Sequence, residues 1–248
     1  MDRRKISLFD GWEETMVWTC LQGHMGQVMT EGGPQPVSAL CAVGDFCFLA
    51  GLPSRTLAAR AVRPILIPRT ADWEPVIRAV WGARAAPFLR YAIRKEPDVF
   101  DRGWLTDCAA ALPAGVVLSP IRADHVPLLM SQPWSRDLCG NFQDGADFAR
   151  RGLGVLALRD GIPVAGASSY TVYDGGIEIE IDTRPDVRRL GLALALACGA
   201  RLILDCLDRD LYPSWDAHDL RSVALAEKLG YHLDRPYQAF LLETPSPP

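Results

Sequence analysis

The segment Arg184–Ala195, RPDVRRLGLALA, sets Arg188, Arg189 and a lone Gly191 where an alternating run gives way to alanines and leucines at helical spacing. The first backbone N–H groups of a helix have no partner within it, and the helix dipole adds partial positive charge there. An anion such as a pyrophosphate satisfies both. Gly191 has no Cβ to obstruct its approach, and Ala193 is nearly as small. A surface turn is the plainer alternative.

Just upstream, GIEIEIDT alternates with period two. Ile177, Ile179 and Ile181 face one side of a strand, and Glu178, Glu180 and Asp182 face the other. Like charges this close raise at least one pKa, which suits a base. A solvated strand face has the same pattern.

Around these residues, local signals lay out a chain of short α and β pieces. Ser38–Gly51 is a hairpin about Gly44-Asp45 and 153–175 a longer one turning at Asp160-Gly161. Asp72 is expected to cap a helix over Trp73–Trp81, with Gly82 just past its end. Further helices are expected at Asp101–Leu112, from Ala123 to Met130, around Asp144–Arg151 and from about Gly191 to Asp208. YPSWDA reads as a short strand, Asp219 as the cap of a helix ended by Gly230, and YHLDRPYQAFLLE as one or two closing strands. Pro113-Ala114-Gly115 marks the expected boundary between domains over residues 1–112 and 115–248.

Arg188-Arg189-Leu190-Gly191-Leu192-Ala193 meets the acyl-CoA signature R/Q-x-x-G-x-G/A. It follows a strand and opens a long helix, and AEKLGY comes later. On these features residues 115–243 resemble the GNAT superfamily of acyl-CoA-dependent N-acyltransferases. The resemblance implies an α/β fold of the GNAT kind with a mixed sheet, and acetyl-CoA or another acyl-CoA as co-substrate without a metal. It implies that the amides of Arg188 to Ala193, with Leu190 and Leu192 between, cradle the pyrophosphate. The strand through Ile181, Asp182 and Thr183 would splay from its neighbour and bond the pantetheine, an N–H near Ile181 or Asp182 polarising the thioester. Glu178 and Glu180 stand where the family often keeps its base. Two positions depart from the pattern: Asp219 replaces a common asparagine, and Ala226 replaces the tyrosine that reprotonates the leaving thiolate. Asp219 and Ser222 remain candidates for the cofactor. Tyr212, His218, Ser222 and Tyr231 are the candidates to replace the acid, with His218 the most exposed by context.

The first half lacks the signature, yet ALCAVGDFCFLAG echoes VLALRDGIPVAGA, which suggests a smaller α/β domain that is a degenerate GNAT-like copy. The alternative is an unrelated α/β cap. Residues 1–102 carry 13 basic and 11 acidic side chains, and Arg55 to Lys95 alone has a local excess of +7 within a chain of net charge −4. The leading expectation is an N-acyltransferase acting on a small-molecule amine. Two alternatives stand beside it: a transferase using aminoacyl-tRNA, whose phosphates the basic stretch would hold, and a non-catalytic acyl-CoA-binding regulatory module. Seven cysteines without a C-x-x-C pair read as reduced thiols, and the N-terminus has no secretory h-region, so a cytoplasmic protein is expected. No membrane partner is expected either, because Arg201 and Asp205 interrupt the longest apolar run, Leu192–Leu207.

Overall fold

A computed structural model describes residues 6–243, with the backbone but not the side chains of Arg188 and Arg189. The chain begins with a 3-10 turn, Ser7–Phe9, followed by α1 (Thr15–Gln22) and β1 (Gln27–Glu31). Next come β2 (Ser38–Val43), β3 (Phe46–Gly51), α2 (Arg55–Arg60), β4 (Ile65–Pro68), α3 (Trp73–Trp81) and β5 (Ala85–Ile93). The middle of the chain holds α4 (Arg102–Ala110), β6 (Val116–Pro120), α5 (Val126–Met130), a 3-10 turn Arg136–Leu138 and α6 (Gly145–Arg151). It continues through β7 (Gly154–Arg159), β8 (Ile162–Tyr173), β9 (Gly176–Thr183) and α7 (Arg188–Leu207). The last elements are β10 (Tyr212–Ser214), β11 (Asp216–Ala217), α8 (Leu220–Lys228) and β12 (Leu233–Leu242).

These elements form two compact units, residues 1–90 with 236–248, and residues 91–235. The chain passes between them inside β5 and β12, so the boundary expected at Pro113 lies within the second unit, between α4 and β6. In the first unit the strand order is β1-β2-β3-β4-β12-β5. The β2–β3 hairpin turns at Gly44 and Asp45, with Val43 opposite Phe46 and Gly44 at φ 52°. β3 then runs parallel to β4 by way of α2, and β12 lies antiparallel to β4 with Phe240 opposite Leu66. Trp73 and Ile77 of α3 are fully buried with Leu40, Leu49, Leu57, Leu66 and Phe240, and Trp73 Nε1 donates to Gly51 O at 3.1 Å. α3 has the expected bounds, but Asp72 is itself helical and its side chain caps nothing; Asp101, by contrast, does cap α4 by accepting from Trp104 N.

In the second unit β10-β9-β8-β7-β6 form a sheet that is antiparallel except for the β9–β10 pair. Asp160 and Gly161, both at positive φ, close the β7–β8 hairpin where the turn chemistry places it. α7 covers one face of this sheet: a Cβ on Gly199 would lie 2.9 Å from Ile181 Cδ1, so glycine permits the close approach. Residues 190–207 of α7 are, against expectation, long and apolar enough to cross a membrane. Arg201 and Asp205 do not break the helix; they pair across one turn on its outer side while Leu194, Ala197, Cys198, Leu202 and Ile203 are buried. The helix is thereby accounted for as the core of this unit. α8 ends in a Schellman motif, with Tyr231 N bonded to Ala226 O, Gly230 N to Glu227 O, and Gly230 at φ 101°.

Candidate active site

The site begins where two parallel strands part. β9 is paired along one edge with β8, but β10 accompanies its other edge only over Gly176, Ile177 and Glu178. YPSWDA is therefore not one strand. After Ser214 the chain leaves β9, and Asp216 and Ala217 pair instead with Ala92 and Tyr91 at the end of β5. Trp215 occupies the break, nearly buried, with its Nε1 donating to Ser222 Oγ at 3.1 Å and its ring against Tyr231 at 5.5 Å. Ile179 to Thr183 consequently has no strand partner on that edge among the described residues. Free strand edges present N–H and C=O groups that another extended chain can meet.

That open edge runs into the start of α7. The helix begins at Arg188, three residues earlier than expected, so the R-R-L-G segment forms its first turn. Val187 at the cap position supplies no side-chain hydrogen bond to the first-turn N–H groups. Gly191 has no reason within the fold to be glycine: its φ is not positive, and an added Cβ would touch only Thr183 Cγ2, at an ordinary 3.6 Å. Leu192 and Ala193 are exposed and Leu190 is half-buried. The Arg188 and Arg189 side chains lie outside the described residues. An uncapped helix start, an unneeded glycine and an open strand edge suit a ligand with a diphosphate head and an extended amide-bearing arm.

The expected two-faced pattern of β9 is present. Ile181 lies against α7, and Ile177 and Ile179, which share its face, are buried. On the opposite face, Glu178 is 4% exposed and sits in register between Thr171 and Ser214, with Glu180 opposite Ser168 and Asp182 opposite Gly166. Tyr173 Oη and Ser214 Oγ are hydrogen-bonded at 2.8 Å, and Thr171 Oγ1 is buried without a partner. Burial, and then the charge of Asp137, push the Asp182 carboxyl up to about 6. For Asp182, the neighbouring charge that adds to burial comes from the 3-10 turn Arg136–Leu138. Successive same-face residues on a strand are about 7 Å apart, whereas a covering turn can approach more closely.

The remaining candidates lie around α8. Asp219 caps this helix, accepting from Arg221 N and Ser222 N at 2.9 Å each, with its second oxygen on the Arg221 guanidinium. Burial opposes the Asp219 charge, but these hydrogen bonds prevail and hold its pKa below the usual carboxylate range. Ser222 serves Trp215. His218 is exposed beside the cap. Tyr231 Oη donates to Pro213 O at 2.6 Å, Tyr212 Oη accepts from Glu96 N at 2.9 Å, and Ala226 is fully buried. As placed, Asp219, Ser222, Tyr212 and Tyr231 hold the second strand of the fork and the helix after it. Sequence reasoning missed Asp137, Thr171, Tyr173 and Ser214. Asp137 had no local signal, while Ser214 and Tyr173 follow once the β9–β10 register is known.

The strands part beside a glycine-bearing helix start, and comparison with known families says which fold this is. The model of the GNAT acetyltransferase family matches residues 6–240, and the chain belongs to that family. The match includes the first unit, so the resemblance is not confined to 115–243. A GCN5-related N-acetyltransferase-like protein from Streptococcus suis 89/1591 is 46% identical, with a TM-score of 0.92 over 97% of this chain and 98% of that one. A GCN5-related N-acetyltransferase from Kribbella flavida, 14% identical, shares the fold at a TM-score of 0.52 over 98% and 96% of the two chains. The uncharacterized N-acetyltransferase YdfB of Bacillus subtilis is 27% identical over 171 residues, covering 67% of this chain, and the match spans 61% of that protein's length.

Proposed function

We propose that this protein transfers an acyl group from acyl-CoA to the amine of a small molecule by direct attack on the thioester. The observation that carries the reading is the β9–β10 fork: beyond Glu178 no described strand continues along the β10 side of β9, beside the start of α7 and Gly191. Acyl-CoA, when bound, supplies the activated thioester carbonyl. The amides of Arg188 to Ala193 hold the diphosphate, Arg188 and Arg189 adding positive charge. The free edge of β9 pairs with the pantetheine amides, and an N–H near Ile181 or Asp182 polarises the carbonyl oxygen. The acidic face of β9, with Glu178, Glu180 and Asp182, receives the acceptor and its proton. Seven buried thiols, none in a disulfide among the described residues, support a cytosolic location.

Calorimetric titration with acetyl-CoA and with CoA, at two salt concentrations, tests the donor. Saturable one-site binding supports the reading; absence of binding to both sinks it and makes aminoacyl-tRNA the next donor to test. Release of free thiol across a panel of amines tests turnover. Ala226, which leaves α8 without the family's usual hydroxyl at this position, favours a second reading, an acyl-CoA-binding module without turnover. Binding with no thiol release on any amine would select it.

A further inference from the structure

We infer that Asp137 and Asp182 work as one carboxylate pair that accepts the proton of the acceptor's ammonium group, with Asp137 the positioning residue that acts through Asp182. This rests on the transferase reading above. The pair is assembled by backbone geometry. Asp182 stands opposite Gly166 in the β8–β9 register. A Cβ at Gly166 would lie 2.7 Å from Leu138 Cδ1, so the glycine lets the turn Arg136–Leu138 settle directly on the sheet at this row. One row along, Ser168 Oγ, inside the sheet, donates to Leu138 O and anchors the turn's backbone. Asp137, the residue before Leu138, is thereby held close enough to act on the Asp182 charge.

The charged groups on the elements packed around this position are few. The turn itself carries Arg136 and Asp137, and β9 contributes Glu178 and Glu180. β8 contributes none across its whole length. Beyond β9, Arg184 is committed to Asp186 through two hydrogen bonds. Asp182 lies on β9 beyond the end of its pairing with β10, where an acceptor beside the thioester would meet it.

The step balances as follows. The ionised Asp182 carboxylate takes one proton from the ammonium group, which frees the nitrogen lone pair. Nitrogen forms the C–N bond to the thioester carbon as the C–S bond breaks, and sulfur leaves with that electron pair. The second nitrogen proton passes to the thiolate, directly or through water, giving the amide and free thiol.

Two readouts test this on the full chain. Carboxyl-carbon NMR gives the Asp182 titration in wild type, Asp137→Asn and Asp137→Glu. The pH dependence of kcat/KM for acetyl transfer to an amine gives the proton's role. Asp137→Asn should move the Asp182 midpoint toward the ordinary carboxylate range and move the acidic limb of kcat/KM with it, the plateau changing only a few-fold; Asp137→Glu should restore both. Asp182→Asn should lower the kcat plateau about 10²-fold or more, as for loss of a general base, while acetyl-CoA binding persists. An Asp182 midpoint unmoved by Asp137→Asn in a protein that melts like wild type would overturn the pairing. A midpoint that moves while the kcat/KM limb stays would overturn the proton-accepting role. Wild type that binds no acetyl-CoA would instead sink the transferase reading, while the titration still decides the pairing.

Discussion

Gly191→Ala separates the needs of the fold from those of the ligand, because the two effects have opposite signs. Gly191 is the fourth residue of α7, has no positive φ, and has room for a Cβ whose sole neighbour is Thr183 Cγ2 at 3.6 Å. Alanine there meets no clash and restricts the unfolded chain. Replacing a helical glycine in this way is worth about 0.5–1 kcal/mol. For a chain of this length that corresponds to a rise in Tm of about 1–4 °C. In the proposed site the same methyl group stands where the diphosphate would approach the first-turn amides, so affinity for acetyl-CoA should fall by about tenfold, or 1.4 kcal/mol. Gly191→Glu adds a carboxylate facing the anion; at 4 Å and an effective dielectric of 20 one like-charge pair costs about 4 kcal/mol, close to a thousandfold in affinity. Thermal melts and calorimetry on the same preparations read both quantities. An alanine variant that is more stable yet binds acetyl-CoA as tightly as wild type would refute the argument, since Gly191 would then serve neither fold nor ligand.

Other perturbations give results of known sign. Because the folded pKa of Asp182 is raised to about 6, its contribution to stability is full below the ordinary carboxylate range and is lost as pH rises through 6. Asp182→Asn should therefore melt higher than wild type at pH 8, the gap closing below pH 4. Asp147 is the opposite case. Hydrogen bonding to Arg151 is the chief cause that holds it down at about 2, against the opposing effect of burial, and Gln143 N and Arg150 assist. Its contribution is full above about pH 4 and fades as pH falls through 2, so Asp147→Asn should lower Tm at pH 7 and weaken the dependence of stability on pH below 4. Gly230→Ala forces a side chain to φ 101° and places a Cβ 3.3 Å from Val99 O; chemical denaturation should show a loss of about 1–2 kcal/mol. Burial raises the thiols of Cys139, Cys198 and Cys206 to about 12 and that of Cys47 to about 11, so these four should resist a thiol reagent at pH 8 until the protein is unfolded.

What could be read from residues alone follows the range of the interactions involved. Gly44-Asp45 and Asp160-Gly161 locate their hairpins because turn chemistry is decided within four residues. The alternation of β9 was legible because one strand face meets α7 and the other meets the covering turn. Contacts between distant segments were not legible. YPSWDA has the composition of a strand, yet Trp215 divides it, because Tyr212–Ser214 finds β9 and Asp216–Ala217 finds β5, more than a hundred residues earlier. β12 carries no mark that its second half belongs with β4 in the first unit, so a boundary argued from Pro113 and Gly115 fell inside the second.

The same distinction governs the site. The proposed anion cradle is a local device, one glycine and one helix start, and its signature is legible in six residues. The proposed acid–base chemistry depends on a distant contact: Asp182 is perturbed by burial and then by Asp137, on a turn 45 residues earlier that reaches the sheet at Gly166 and Ser168. Gly166 is therefore the position at which sequence and mechanism meet. Any side chain there would have to displace Leu138, Leu156 Cδ2 at 3.1 Å or the backbone at Val155 O, 3.3 Å away. Where Gly166→Ala displaces the backbone of the turn along with Leu138, it should lower the Asp182 midpoint as Asp137→Asn does, with both carboxylates still present. A midpoint that fell only in step with a displaced turn backbone would support the pairing, whereas a displaced turn with the midpoint still near 6 would leave burial alone to account for it.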